Sequence, residues 1–303
     1  MIKKQPIKKV ITRLKGGLGN QMFIYATAYR LAQKNNATLL VDKKTGFEFD
    51  YKYKRTFNLE FLNISAETAT NKDLLFPFFR IRRFIYRFLS FINTLTNKEF
   101  YFQNGLIFDH EFLNLKIKSD VLYFDGFGQG EEYFLDVKDH IKREFGFKYS
   151  KTIKNFAIKN LQKNSVAIHF RFFDSSNYDS LLNLKDDYYK MAISEICSKI
   201  SNPVFYIFSD NLKFAKKRIK LIFTNQSYVL VDNLKKPNIP QIDFQLMSYC
   251  KHFIIANSSY SWWASWLGER KDSYVYVPGI MLNEQNITSW SFDKLIPERW
   301  NIL

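Results

Sequence analysis

Cysteine is nearly absent from this sequence: among 303 residues there are two, Cys197 and Cys250, far apart and with no CxxC pair. Neither a disulfide framework nor a cysteine-held metal site is implied, and the two read as buried, reduced thiols. Histidine is scarce, with four in all, and no two aspartates stand one residue apart, so the D-x-D arrangement that would hold a divalent cation on a diphosphate is missing. No G-x-S-x-G elbow supports Ser-His-Asp hydrolysis. No Gly-Lys-Ser/Thr follows the glycine-rich turn near the start of the chain, which removes a P-loop. Long apolar runs are lacking too. No stretch reaches the roughly 18 uncharged apolar residues of a membrane span, because the most apolar segment, 74–92, contains Arg80, Arg82, Arg83 and Arg87. Arg13 and Lys15 break the first apolar run, so the basic N-terminus does not read as a signal peptide, and a cytoplasmic protein is expected.

What the sequence has in excess is positive charge and aromatic rings. The net charge is +16, with 31 Phe and 18 Tyr. Residues 1–100 hold 19 Lys and Arg against 7 Asp and Glu, so +12 of the excess belongs to the N-terminal third. An apolar fraction of 46 % and a charged fraction of 24 % describe a globular protein rather than a disordered, collagenous or coiled-coil chain. The length is about twice that of a typical domain. A Lys- and Asn-rich stretch at 148–163 suggests a division into 1–150 and 151–303. A basic, aromatic-rich protein suits nucleic acid, an anionic membrane surface or an anionic small substrate such as a sugar nucleotide. Nucleic acid is the weakest of these, since no recognised module interleaves basic residues with exposed aromatics.

The second half alternates strand-length apolar runs with helical patterns. Strands are expected at 166–170, 204–208, 228–231, 253–256 and 274–277, and helices at 187–200, 212–221, 241–249 and 260–267. Such a βαβ series makes a parallel sheet covered on both faces, with ligands beyond the carboxyl ends of its strands. The residues falling there are Arg171, Ser209-Asp210, Asp232-Asn233 and Asn257-Ser258-Ser259. The first half opens the same way, with a strand at 10–14, a turn at Gly16-Gly17-Leu18-Gly19, a helix at 21–35 and a strand at 38–41 ending at Asp42. Beyond that the pattern loosens.

Each polar group admits a functional and a structural role. The glycine turn can present helix N–H groups to an anion or a hydroxyl, or simply supply positive φ. It departs from the dinucleotide fingerprint, because Met22 takes the third glycine position, so a nicotinamide or flavin cofactor is not expected. His169 and Arg171 share one side of their strand. His169 is either a core histidine or a base, and Arg171 either a fork for phosphate oxygens or one half of an ion pair with Asp174 or Asp210. Asp174 can orient the Arg, take a proton or cap its loop. Asp210 can accept hydrogen bonds from guanine or ribose, or cap the next helix. Asn257, Ser258 and Ser259 can cradle a phosphate at a helix start, and Trp266, three and four residues after Trp263 and Trp262, suits core packing with that pair.

Taken together these stretches resemble a known family. GGLGNQMFIYA (16–26) looks like the N-terminal signature of the α-1,2-fucosyltransferases, glycosyltransferase family 11. VAIHFRFFD (166–174) is similar to that family's HxRRxD segment. FYIFSD (205–210) and DFQLMSYCKHFIIANSSYSWWASWL (243–267) resemble further family stretches, and FDGFGQGEEYF (124–134) is a looser match. The resemblance implies an α/β, GT-B-like fold, two Rossmann-type domains facing a central cleft. The first would be the acceptor side and the second the GDP-sugar-binding side. It implies an inverting transferase that moves L-fucose from GDP-fucose to the 2-hydroxyl of a terminal galactoside, in an oligosaccharide or a lipid-linked glycan, without a cofactor or metal. The alternative is a different hydroxyl, acceptor sugar or GDP-sugar.

Carried over residue by residue, the resemblance gives Arg171 to the donor diphosphate and keeps His169 and Asp174 as catalytic types. It gives Ser209, Asp210, Asn257, Ser258, Ser259 and Ser261 to the donor site, and Gly17, Gly19, Asn20 and Gln21 to the turn near the transferred sugar. Phe172 stands where the family has a second Arg, and Phe173 where it usually has glycine before the Asp. A second cation is thus expected from elsewhere. Finally, FPFFRIRRFIYRFLSFI (76–92) has the make-up of a helix lying on an anionic membrane surface, or of an amphipathic core helix with a solvated Arg face.

Overall fold

The structure, a computed structural model, describes residues 8–76, 78–90, 98–103, 108–148, 150–231, 240–279 and 294–303. The chain divides into two compact units: residues 1–146 with 292–295, and residues 147–291 with 296–303.

The first unit contains β1 (Lys9–Arg13), α1 (Leu18–Lys34), β2 (Thr38–Asp42), β3 (Glu67–Thr68), α2 (Phe79–Ser90), β4 (Lys98–Phe102), β5 (Val121–Asp125) and α3 (Lys138–Glu144). Its strands lie parallel in the order β3-β2-β1-β5-β4. The chain therefore runs outward from β1 to β3 and returns to the far side of β1, which places a reversal of strand order between β1 and β5. α1 is buried over most of its surface, from Met22, Phe23 and Ile24 round to Tyr25 and Ala26, as expected of a helix apolar on more than one face. Ile11, Leu40 and Tyr123 share one face of the sheet by period two, and there they pack with Leu74, Leu75 and Phe79 of the α2 region.

Two features of this unit depart from the sequence expectations. β3, β4 and β5 are additional strands. β3 is only two residues long, and β4, KEFYF, is an edge strand whose polar residues hide its strand pattern. In α2 the expected Arg face is only partly solvated: Arg80, Arg82 and Arg87 are exposed. Phe79 points into the core and Arg83 follows it inward to reach Asp42, while Ile81, Phe84, Ile85 and Phe88 join the three Arg on the outer surface.

The second unit contains α4 (Ser150–Asn160), β6 (Ser165–Phe170), α5 (Asp186–Lys199), β7 (Val204–Ser209), α6 (Leu212–Ile222), β8 (Ser227–Leu230), α7 (Pro240–Ser248), β9 (His252–Ile254), α8 (Ser259–Gly268), β10 (Val275–Val277) and β11 (Asn301–Ile302). The strand order is β11-β10-β9-β6-β7-β8, again parallel. The expected strands and helices are present with small shifts at their ends, and α4 and β11 are additional. Asp232 and Asn233 lie outside the described residues. β6 is buried at all six positions, the mark of a central strand with both faces covered. Val166, Ile168 and Phe170 on one face join Tyr189, Ile193, Phe205 and Ile207 in a single core. Trp262, Trp263 and Trp266 are completely buried and pack as a ring cluster.

Both cysteines are free. Cys250 is buried, but Cys197 is exposed, contrary to the expectation of two buried thiols. It sits one position past Ile196, and the 100° turn per residue carries it off the buried face of α5.

Candidate functional site

In the second unit the strand order reverses between β6 and β9, since the chain travels from β6 out to β8 and then returns to the other side of β6. Such a reversal opens a crevice beyond the carboxyl ends of the two strands. Pairing of Ile168 with Ile254 sets the two ends level, so the residues that follow them, Arg171 and Asn257 to Ser259, emerge side by side. His169 on β6 and Tyr260 at the start of α8 meet just below, with ring centroids 5.5 Å apart.

Arg171 is about one-third exposed and is held from two directions. Nη1 donates to Asp210 Oδ2, and the guanidinium carbon lies 4.9 Å over the Phe173 ring. Nε and Nη2 have no partner among the described residues, which leaves donors for an anion. The alternative of an Asp210 pair is therefore present, and Asp174 takes no part in it. Asp210 also accepts from the Phe172 amide at 3.0 Å. It does not cap α6: Asn211 does, accepting from the Phe214 amide at 3.1 Å. Burial raises the Asp210 carboxyl above its usual range in spite of the neighbouring Arg171. Ser209 Oγ accepts from the Asn211 amide at 3.1 Å, which braces the same turn.

His169 is buried. Burial, reinforced by the Arg171 charge, pushes its pKa down to about 3, so the ring is neutral near pH 7. Nδ1 has no hydrogen-bond partner, while the backbone carbonyl of His169 accepts from Tyr189 Oη at 3.0 Å. This geometry makes His169 a neutral wall beneath the site. Asp174 caps its own loop, with Oδ1 accepting from the Ser176 hydroxyl at 2.6 Å, the Ser176 amide at 3.0 Å and the Asn177 amide at 3.1 Å. Those hydrogen bonds, the Ser176 hydroxyl foremost, lower its pKa and make it a weaker base than a free carboxylate.

Across the reversal, Ser258 is the N-cap of α8 in extended conformation, yet its side chain does not cap the helix. The first N–H groups of α8 receive no hydroxyl from it, and the Oδ1 of Asn257 is buried without a partner. Ser261 is completely buried, with Oγ donating to the Ser258 carbonyl at 3.2 Å, so it shapes the turn from behind. The crevice thus combines one cation with spare donors, a helix N-terminus that its own N-cap side chain leaves open, and a buried amide oxygen with no partner.

Phe172 shows why the missing second Arg leaves no hole. Its ring is buried and packs against Phe214 and Tyr178, with the Arg218 guanidinium 4.7 Å above it. Arg218 itself is buried and paired with Asp186 at 2.7 Å.

In the first unit the glycine turn starts α1. Gly16 has φ +75°, and Gly17 is the N-cap. A Cβ on Gly17 would meet no atom within 4 Å, so its surroundings are open. Gln21 is completely buried and spends its whole amide on structure. Nε2 donates to the Gly16 and Thr56 carbonyls at 2.9 Å each, and Oε1 accepts from the Asn58 amide at 2.9 Å. Asn20 Oδ1 accepts from Gln129 at 3.0 Å, and Gly19 is buried. The sequence reading missed a second cluster at the β1/β5 reversal. There Asp125 joins Arg13 at 3.2 Å and Lys15 at 2.7 Å, and Arg83 joins Asp42 at 3.0 Å. The carboxyl-end rule applied to β1, β2 and β5 would have found Arg13, Asp42 and Asp125. Among the described residues no three His, Cys, Asp or Glu side chains gather as a metal site, and no helix is long and apolar enough to cross a membrane.

Comparison with known proteins agrees with this architecture. The family model "Glycosyl transferase family 11" matches residues 9–294. An Escherichia coli alpha-1,2-colitosyltransferase is 31% identical, over 96% of this chain and 97% of its own. The E. coli O-antigen biosynthesis glycosyltransferase WbnK is also 31% identical, over 93% and 98%. Among solved structures, a point mutant of Arabidopsis thaliana FUT1 in complex with GDP has a TM-score of 0.55 at 11% identity, covering 91% of this chain and 71% of that one. NodZ alpha-1,6-fucosyltransferase soaked with GDP-fucose has a TM-score of 0.50 at 16% identity, covering 86% and 92%. The fold class is α/β and GT-B-like.

Proposed function

The chain belongs to glycosyltransferase family 11, and from that premise we propose that it transfers L-fucose from GDP-fucose to the 2-hydroxyl of a terminal galactoside, with inversion. The observation that carries the donor assignment is the β6/β9 reversal, where Arg171 with its spare N–H donors stands beside the N-terminus of α8, which the Ser258 side chain does not cap. The GDP diphosphate occupies that crevice. As the bond from fucose C1 to the diphosphate oxygen lengthens, negative charge builds on the leaving group. Arg171 and the positive end of the α8 dipole meet that charge without reorganising.

The acceptor O2 attacks C1 from the opposite face while the sugar carries oxocarbenium character. Its proton needs an acceptor. Asp174 is our candidate, and the hydrogen bonds that lower its pKa give it the role only once the loop 174–177 rearranges around bound substrates. His169 supports the site as a neutral wall. The family resemblance gives Gly17 and Asn20 to the transferred sugar, and Gln21 keeps their turn in shape. No metal or cofactor takes part in this reading, so activity is expected to persist in EDTA.

A second donor sugar is favoured by the identity to an alpha-1,2-colitosyltransferase. Incubation with GDP-fucose and, separately, GDP-colitose across a panel of β-galactosides, with the linkage read by NMR, tests both readings. An α-1,2-fucosyl galactoside supports the first and an α-1,2-colitosyl product the second. A product linked at another hydroxyl refutes the regiochemistry.

A further inference from the structure

α2 is amphipathic in the wrong direction for a helix of a protein surrounded by water. At 100° per residue, Phe79, Arg83 and Tyr86 define its inner side, and Phe84, Phe88 and Ile81 stand opposite them, continuing to Ile85 and to Phe78 just before the helix. Phe78, Phe84 and Phe88 are 72%, 73% and 64% exposed. A contiguous stripe of large apolar side chains facing solvent marks a surface that something covers.

The borders of the stripe say what covers it. Arg80 and Arg87 flank it on one side and Arg82 on the other. Arg80 lies 4.1 Å over the Phe49 ring, and Arg87 lies 4.4 Å over the Phe102 ring. Phe49 and Phe102 are themselves 41% and 46% exposed and extend the apolar surface under the two guanidinium groups. Behind Phe84 lies a cavity of about 340 Å³ lined by Arg13, Arg80, Arg83, Arg87, Tyr101 and Asp125 among others. Two of its polar atoms, Arg83 Nε and Tyr101 Oη, are buried without a hydrogen-bond partner. Cations at the margin of an apolar stripe suit an interface where hydrocarbon meets phosphate, because the rings enter the acyl region while the Arg heads stay at headgroup depth. A protein partner would require apolar complementarity, but it would not require a border of guanidinium groups around it.

We infer that α2 is a membrane-contact element: Phe78, Ile81, Phe84, Ile85 and Phe88 insert into one leaflet of a bilayer bearing anionic phosphate headgroups, and the flanking Arg80, Arg82 and Arg87 bind those phosphates. Part of the positive charge of the N-terminal third thus forms a border around an apolar face, not a basic face lying on lipid. This contact is independent of the donor chemistry.

The test is flotation of the full chain with vesicles of phosphatidylcholine alone or mixed with phosphatidylglycerol, read beside size-exclusion with light scattering. The variants are F84S/F88S and R80Q/R87Q. Wild-type protein is expected to float with the mixed vesicles, and F84S/F88S to stay in solution with both. R80Q/R87Q is expected to bind mixed vesicles roughly fivefold more weakly per Arg removed, the equivalent of about 1 kcal/mol each. Turnover of a soluble galactoside is expected to be the same in all three proteins, so a failure of membrane binding is read separately from a failure of the transferase assignment. Absence of wild-type flotation overturns the inference, as does flotation that F84S/F88S leaves intact. A wild-type dimer that F84S/F88S converts to monomer, without flotation, assigns the stripe to a second copy and also overturns it.

Discussion

Both sheets reverse their strand order beside a central strand, between β1 and β5 in the first unit and between β6 and β9 in the second. The residues at the two reversals differ in kind. At β1/β5 three cations are held by two carboxylates: Asp125 pairs with Arg13 and Lys15, and Asp42 with Arg83. Burial works against the Asp125 charge, yet Lys15 and Arg13 keep its pKa below the usual range. At β6/β9 a single ion pair, Arg171 with Asp210, stands next to a helix start that its N-cap side chain does not close. The same topological position can therefore be crowded with interlocked ion pairs or hold a single pair beside a helix start. The second arrangement is the one that suits a diphosphate.

The largest expected effect tests that difference at the chemistry. Arg171→Ala is expected to lower kcat by about 10²–10³ with an unchanged circular dichroism spectrum. Near-full activity would place the leaving-group cation elsewhere. Next comes core packing. Trp263→Ala removes a completely buried ring and is expected to cost about 3–5 kcal/mol in denaturant unfolding. A loss below about 1 kcal/mol would mean that α8 is not anchored by this cluster.

A third expectation concerns acid. His169 and His252 have pKa values pushed down to about 3 and about 4, chiefly by burial, against 6.5 for the free side chain. Between those values and 6.5 the unfolded chain binds protons that the folded second unit refuses. Stability is thus full above pH 6.5 and falls on acidification, by about 1.4 kcal/mol per pH unit for each histidine. His169→Gln is expected to flatten that slope in urea titrations run across the window. An unchanged slope would mean that the ring is not held neutral. The smallest effect separates a brace from a ligand contact. Gln21→Ala removes three hydrogen bonds to backbone and is expected to cost roughly 1–3 kcal/mol of stability, with the KM for GDP-fucose nearly unchanged. A raised KM with unchanged stability would make Gln21 a contact.

Legibility followed burial. The strands of the second unit announce themselves because both faces are covered, so VAIHF and FYIF are continuous apolar runs. The same rule located Arg171 and Asn257 to Ser259. β4 escaped because an edge strand keeps polar residues, and the inward turn of Arg83 in α2 escaped because composition cannot say which side of a helix meets the core. Only the pairing of Arg83 with the buried Asp42 fixes that. The cap at Asn211 in place of Asp210 was equally hidden, since both residue types cap helices well and the choice rests on where the chain leaves β7.

Calorimetric titration of GDP into wild-type protein, Arg171→Ala and Arg13→Ala sets the two reversals against each other with one ligand. The expected result is binding weakened at least about tenfold by Arg171→Ala, as for loss of a charge-assisted contact, and little altered by Arg13→Ala. GDP affinity lost with Arg13→Ala and kept with Arg171→Ala would contradict the assignment of the donor to the second unit.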